Sequence, residues 1–112
     1  MSRRRSRRAS KAAPVFAALG DGTRLRIVDR LSADGPSSIA RLTGGSGVTR
    51  QAVSKHLQVL AAAGLVRVGR RGRESRWELE PSKLAEARRS LELISERWDE
   101  ALGRLQAFVE KG

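Results

Sequence analysis

The stretch Ser37-Ser38-Ile39-Ala40-Arg41-Leu42-Thr43-Gly44-Gly45-Ser46-Gly47-Val48-Thr49-Arg50-Gln51-Ala52-Val53-Ser54-Lys55-His56-Leu57-Gln58 decides how this chain folds. It reads as helix, tight turn, helix. Ser37 is expected to cap a short helix over Ser38–Leu42, with Ile39 and Leu42 inward. Gly44, Gly45 and Gly47 make the turn, because glycine reverses the backbone without a Cβ clash. Thr49 caps a longer helix over Arg50–Ala63. Val53, Leu57, Leu60 and Ala63 line its buried face. Gln51, Ser54, Lys55 and Gln58 fall at i, i+3, i+4 and i+7, on one polar stripe. That stripe offers amides, a hydroxyl and an ammonium, and no carboxylate.

Working outward, Pro14–Leu19 is expected to be a first helix closed by Gly20. Asp21 caps a second, about Gly22 to Leu31, with Leu25, Ile27, Val28 and Leu31 on its buried side. Asp34-Gly35-Pro36 stops it. Beyond Gly64, Leu65–Val68 and Ser75–Leu79 alternate as two strands, joined by the loop Gly69-Arg70-Arg71-Gly72-Arg73. Pro81 or Ser82 opens a last helix reaching toward Glu110. Along it Leu84, Ala87, Leu91, Ile94, Trp98, Ala101, Leu105 and Phe108 alternate steps of three and four, a heptad seam. About 30 helical residues span about 45 Å, more than so small a domain can cover. A second copy of the same seam is the simplest partner, through Leu91, Ile94, Trp98, Ala101, Leu105 and Phe108. The fold class is mainly α with a small β-hairpin: a winged helix-turn-helix, dimerised through terminal helices. Its parts are a disordered basic arm (residues 1–11), the winged domain (12–80) and a dimerisation helix (81–112).

Composition agrees with one modest domain: 112 residues, 39% hydrophobic and 4% aromatic. The absence of cysteine excludes disulfides and thiolate metal sites. No secretory leader or membrane-length apolar run is recognisable, so a cytoplasmic, nucleoid-associated location is expected. Net charge is +11, and its placement is the stronger clue. Arg3, Arg4, Arg5, Arg7, Arg8 and Lys11 crowd the arm. From residue 35 to residue 73, Arg41, Arg50, Lys55, Arg67, Arg70, Arg71 and Arg73 stand without one acidic residue. Solvated surfaces interleave both signs; a carboxylate-free stretch this long points to a polyanion.

A recognition helix needs an apolar side to hold it and a polar side to meet base edges in the major groove. Thr49, Arg50, Gln51, Ser54, Lys55, His56 and Gln58 are therefore the candidate reading residues. Arg50 suits guanine and Gln51 adenine, both bidentately. Arg70, Arg71 and Arg73 form a basic wing able to lie on phosphates or enter the minor groove. The arm arginines either track the minor groove or add affinity without sequence information.

Asp21-Gly22-Thr23-Arg24-Leu25-Arg26-Ile27-Val28 resembles the second helix of the ArsR family of bacterial winged-helix repressors. Thr49–Leu60 with Ala63-Gly64-Leu65-Val66 is similar to that family's recognition helix and first wing strand, and Ile94–Leu102 resembles a subgroup of it. The resemblance covers about residues 14–80. It implies a homodimer, an operator near the protein's own promoter, and repression relieved by a signal, with a small-molecule or protein effector left open. Many such proteins sense metals through third-helix cysteines or last-helix His and carboxylate ligands. Here neither set exists, and His56, the single histidine, falls on the DNA-binding helix; no metal or cofactor is expected.

The expected function is a sequence-specific regulator that binds double-stranded DNA, repressing its own or a neighbouring operon. A non-specific architectural nucleic-acid binder and a protein-interaction winged helix are the alternatives. An enzyme is not expected, since no nucleophile, metal cluster or phosphate loop is recognisable.

Overall fold

The computed structural model describes residues 12–111. Five helices and one hairpin follow in order: α1 over residues 12–19, α2 Gly22–Asp34, α3 Ile39–Thr43, α4 Arg50–Ala62, β1 Val66–Arg71, β2 Glu74–Leu79 and α5 Pro81–Lys111. The arm lies outside the described residues.

Side-chain caps start three of the helices. Asp21 Oδ2 accepts from the Arg24 amide at 3.0 Å, Ser38 Oγ from the Arg41 amide at 3.1 Å, and Thr49 Oγ1 from the Ala52 amide at 3.1 Å. Each satisfies a donor that the helix itself leaves orphaned. The core gathers Leu31 from α2, Leu42 from α3, and Val53, Leu57 and Leu60 from α4, with Leu65 and Val66 at the hairpin base. Val53, Leu57 and Leu60 are completely buried. That anchorage holds α4 with its other side to solvent.

Four expectations need correction. The cap of α3 is Ser38, not Ser37. Ser37 is buried and exchanges two backbone hydrogen bonds with Trp77, at 2.9 and 2.8 Å, while its hydroxyl donates to the Gly35 carbonyl. A buried backbone needs partners, and β2 supplies them. Helix α2 runs on to Asp34, where the Gly35 amide returns to the Leu31 carbonyl with Gly35 at φ 78°. Leu25 is half-exposed, not core; at about 100° per residue it stands almost opposite Ile27, and only Ile27 and Leu31 of α2 are buried. The hairpin is longer than expected. Arg71 pairs with Glu74 and Arg70 with Ser75, so the loop shrinks to Gly72 and Arg73. Gly72 alone there has positive φ, 65°, as a type II′ turn requires at its first central position.

Helix α5 has 31 residues, about 46 Å at helical rise. Its first turns pack on the domain: Ala87 and Ser90 are buried and Leu84 touches the core. Its remainder projects, and the molecule measures 66 × 29 × 20 Å.

Candidate nucleic-acid interface

The exposed side of α4 carries Arg50, Gln51, Lys55 and Gln58, with Ser54 half-buried among them. Thr49 is exposed, yet its hydroxyl oxygen is engaged as the cap. No acidic residue lies on α4. The helix therefore presents Arg50 and Gln51 in its first turn, where the helix dipole is also positive, with Lys55 and Gln58 further along.

His56 is placed differently from its helical neighbours. It is half-buried, and its Nδ1 lies 3.3 Å from Arg24 Nη1 and 3.9 Å from Asp21 Oδ2. Arg24 can only donate, so a hydrogen bond between the two requires a ring whose Nδ1 accepts. Arg24 Nε also donates to the Ala18 carbonyl. The trio joins α1, the start of α2 and the middle of α4. The Arg24 amide bonded to Asp21, and after it the charge of the Arg24 guanidinium, hold the Asp21 carboxyl below its ordinary 3.8 against the opposing effect of partial desolvation.

The wing's basic residues Arg70, Arg71 and Arg73 are all exposed. Arg70 and Arg71 are successive strand residues, so they leave opposite faces of the hairpin. One face runs Val66, Val68, Arg70 against Ser75, Trp77, Leu79; the other runs Arg67, Gly69, Arg71 against Glu74, Arg76, Glu78. On that second face Arg67 meets Glu78 at 2.8 Å and Glu80 at 2.7 Å. These carboxylates, beyond the acid-free stretch in sequence, fold back onto it. Arg67, counted in the basic field from sequence, is thus neutralised, and Glu78 and Glu80 raise its pKa further.

Two further exposed residues were not singled out by the sequence reading as base or phosphate contacts. Val59 is 43% exposed, one turn beyond Lys55, which the stripe's own spacing could have revealed. Arg41 is exposed on α3, the helix that precedes the turn. The apolar residues of the α5 seam, Leu91, Ile94, Trp98, Leu105 and Phe108, are all large and exposed, as is Leu102, while Ala101 lies exposed among them. Among the described residues, no helix is long and apolar enough to cross a membrane.

Comparison with known proteins agrees with this geometry. Residues 19–69 match the model of a helix-turn-helix domain. The chain is 42% identical over 88 residues to the HTH-type transcriptional regulator Rv2034 of Mycobacterium tuberculosis, spanning 79% of this chain and 78% of that one. An ArsR-like transcriptional regulator from Rhodococcus sp. RHA1 superposes with a TM-score of 0.76 at 37% identity, covering 89% of this chain and 93% of the other. A homodimeric winged helix-turn-helix DNA-binding domain from Mycobacterium bovis gives a TM-score of 0.62 at 29% identity, covering 93% of each. With its capped recognition-type helix, basic hairpin and these relatives, the chain belongs to the ArsR family of winged helix-turn-helix transcriptional regulators.

Proposed function

We propose that the protein is a homodimeric repressor that reads a specific double-stranded DNA operator. The observation that carries this reading is the exposed, carboxylate-free face of α4, held from behind by Val53, Leu57 and Leu60. Arg50 and Gln51, in the first turn, meet base edges; Ser54, Lys55 and Gln58 follow along the groove. Thr49 offers its backbone and cap to phosphate, and Arg41 reaches the backbone from α3. Val59 suits a thymine methyl. His56 braces α4 from behind through Arg24 and Asp21. Arg70, Arg71 and Arg73 extend the contact to the flanking backbone or minor groove, and the arm arginines add sequence-independent affinity.

The dimer rests on the exposed α5 stripe and on the homodimeric relative. Two copies would set their α4 helices in successive major grooves, about 34–36 Å apart or a multiple of it, on a pseudo-palindrome. A small dimer seated on promoter DNA excludes other proteins from it, which supports repression.

Fluorescence anisotropy of the purified protein on its own upstream DNA, against scrambled DNA over a salt series, tests the reading. A preference of about 10³ or more is expected. Equal binding to both, with a steep salt slope, would mean an architectural basic protein instead.

A further inference from the structure

A cavity of about 300 Å³ opens between α2 and the glycine turn that joins α3 to α4. Its floor is apolar: Ile27, Leu42, Val48 and Val53. Its other lining side chains are polar or charged, with Thr23, Arg26, Asp29 and Arg30 from α2 and Ser46 from the turn. Water occupies about 30 Å³ per molecule in the liquid, and a buried water wants two to four polar partners. An apolar floor of this size serves water poorly, whereas the volume lies at the lower end of small-molecule sites.

The charged side chains are uncommitted to one another. Neither Arg26 nor Asp29 forms a salt bridge among the described residues. Arg26 makes one long hydrogen bond, from Nε to the Gly22 carbonyl at 3.4 Å. Arg30 donates from Nη1 to the carbonyls of Leu42 at 3.3 Å and Gly44 at 2.9 Å. Its Nε–Nη2 edge, the edge that receives a carboxylate bidentately, has no hydrogen bond among the described residues.

We propose that this cavity binds a small apolar α-amino acid. The carboxylate lies between Arg30 and Arg26, the ammonium faces Asp29, and the side chain rests on Ile27, Leu42, Val48 and Val53. A plain carboxylic acid would leave Asp29 beside a second negative charge. A plain amine would face two guanidiniums. A phosphate would find no partner in the apolar floor. A zwitterion with an apolar body matches all three parts of the wall.

Arg30 ties the ligand to the helix-turn-helix. The same guanidinium that would hold the carboxylate clamps the end of α3 and the first glycine of the turn. A ligand there changes how α3 and α4 are held against α2, and hence the affinity for DNA, reciprocally. This consequence rests on the DNA-binding reading above; the site itself does not.

Isothermal titration calorimetry of the full chain, free of DNA, tests the site. L-leucine and L-phenylalanine are titrated beside 4-methylpentanoate and isoamylamine, which keep one charge each. One saturable site per chain is expected for an amino acid, with the single-charge analogues about tenfold weaker or more. Arg26→Gln and Asp29→Asn should each weaken binding about tenfold, while Arg88→Gln on α5 leaves it unchanged. Amide NMR shifts on titration should centre on Gly45, Ser46 and Val48. Absence of saturable binding by all four compounds overturns the proposal. So does binding that Arg26→Gln and Asp29→Asn both leave intact, or that shifts amides elsewhere. Equal affinity for leucine and 4-methylpentanoate overturns the zwitterion assignment.

Discussion

His56 stands on α4, one residue after Lys55, yet its ring turns back to Arg24 and Asp21. Neighbouring residues on one helix thus serve opposite sides of it, because 100° of rotation per residue carries the chain from solvent to core within two steps. Arg50 and Gln51, exposed in the first turn, should carry base discrimination. Replacing either by alanine should cost about 1–3 kcal/mol and relax preference at one operator position, read by anisotropy on single-base variants. Asp21 is legible as a cap from sequence, but its acid sensitivity is not. Its lowered pKa means that its charged form stabilises the fold above its unfolded pKa, and this contribution disappears as pH falls through the folded value. Asp21→Asn keeps a capping side chain without the charge. The wild type should therefore be the more stable at neutral pH, the gap closing as pH drops below about 4. Urea unfolding of both proteins from neutral to acidic pH checks this; a gap independent of pH would refute it.

At the level of elements, the joint between α4 and β1 depends on Gly64. Its φ is 79°, and a Cβ there would meet the Lys83 stem of α5 at 3.1–3.5 Å. Gly45 has a similar φ, 70°, but open space around it. Both Gly→Ala changes should cost about 1–2 kcal/mol for the left-handed backbone. Gly64→Ala should cost more, since Lys83 must also move; thermal unfolding ranks the two. Helix α5 poses a different question. The heptad reading found Leu91, Ile94, Trp98, Leu105 and Phe108 but passed over Leu102. Leu102 is 55% exposed and lies about five whole turns after Leu84, on the same bearing. A straight helix drifts by about 20° per heptad, so its apolar stripe widens past a strict seam. Trp98, 64% exposed in one chain, should be covered in the dimer. Trp98→Glu should give monomers by sedimentation velocity, and in a Trp77→Phe background the Trp98 emission should move to longer wavelength on dilution. A Trp98→Glu protein that stays dimeric would place the interface elsewhere.

For the whole molecule, a net charge of +11 favours association with a polyanion. The arm lies outside the described residues, yet its arginines dominate the N-terminal charge. Deleting residues 1–8 should weaken binding to operator and scrambled DNA alike. It should also flatten the salt slope by about 0.9 for each phosphate that the arm had neutralised. A deletion that instead altered sequence preference would make the arm a reader of the minor groove. Folding trims the basic field that the sequence displays: Glu78 and Glu80 return along the hairpin to Arg67, while Arg41, Arg50, Lys55, Arg70, Arg71 and Arg73 form no salt bridge among the described residues.

Sequence alone determined the order of helices, the glycine turn, the caps at Asp21 and Thr49, the existence of the hairpin and the burial of Val53, Leu57 and Leu60 on α4, whose end at Ala62 leaves the expected Ala63 as its half-buried cap. These are local quantities, set by periodicity, by side chains that reach backbone two or three residues away, and by glycine where φ turns positive. Tertiary structure decided the rest. Ser37 became a buried strand partner because Trp77 returns beside it across the fold. Leu25 was left at the surface because α2 can turn only one side to the core. Arg67 was neutralised, His56 was turned inward, and Arg30 was fastened to the turn. Leu25 apart, each of these depends on residues ten or more positions apart meeting in space, and a one-dimensional pattern carries no record of such distances.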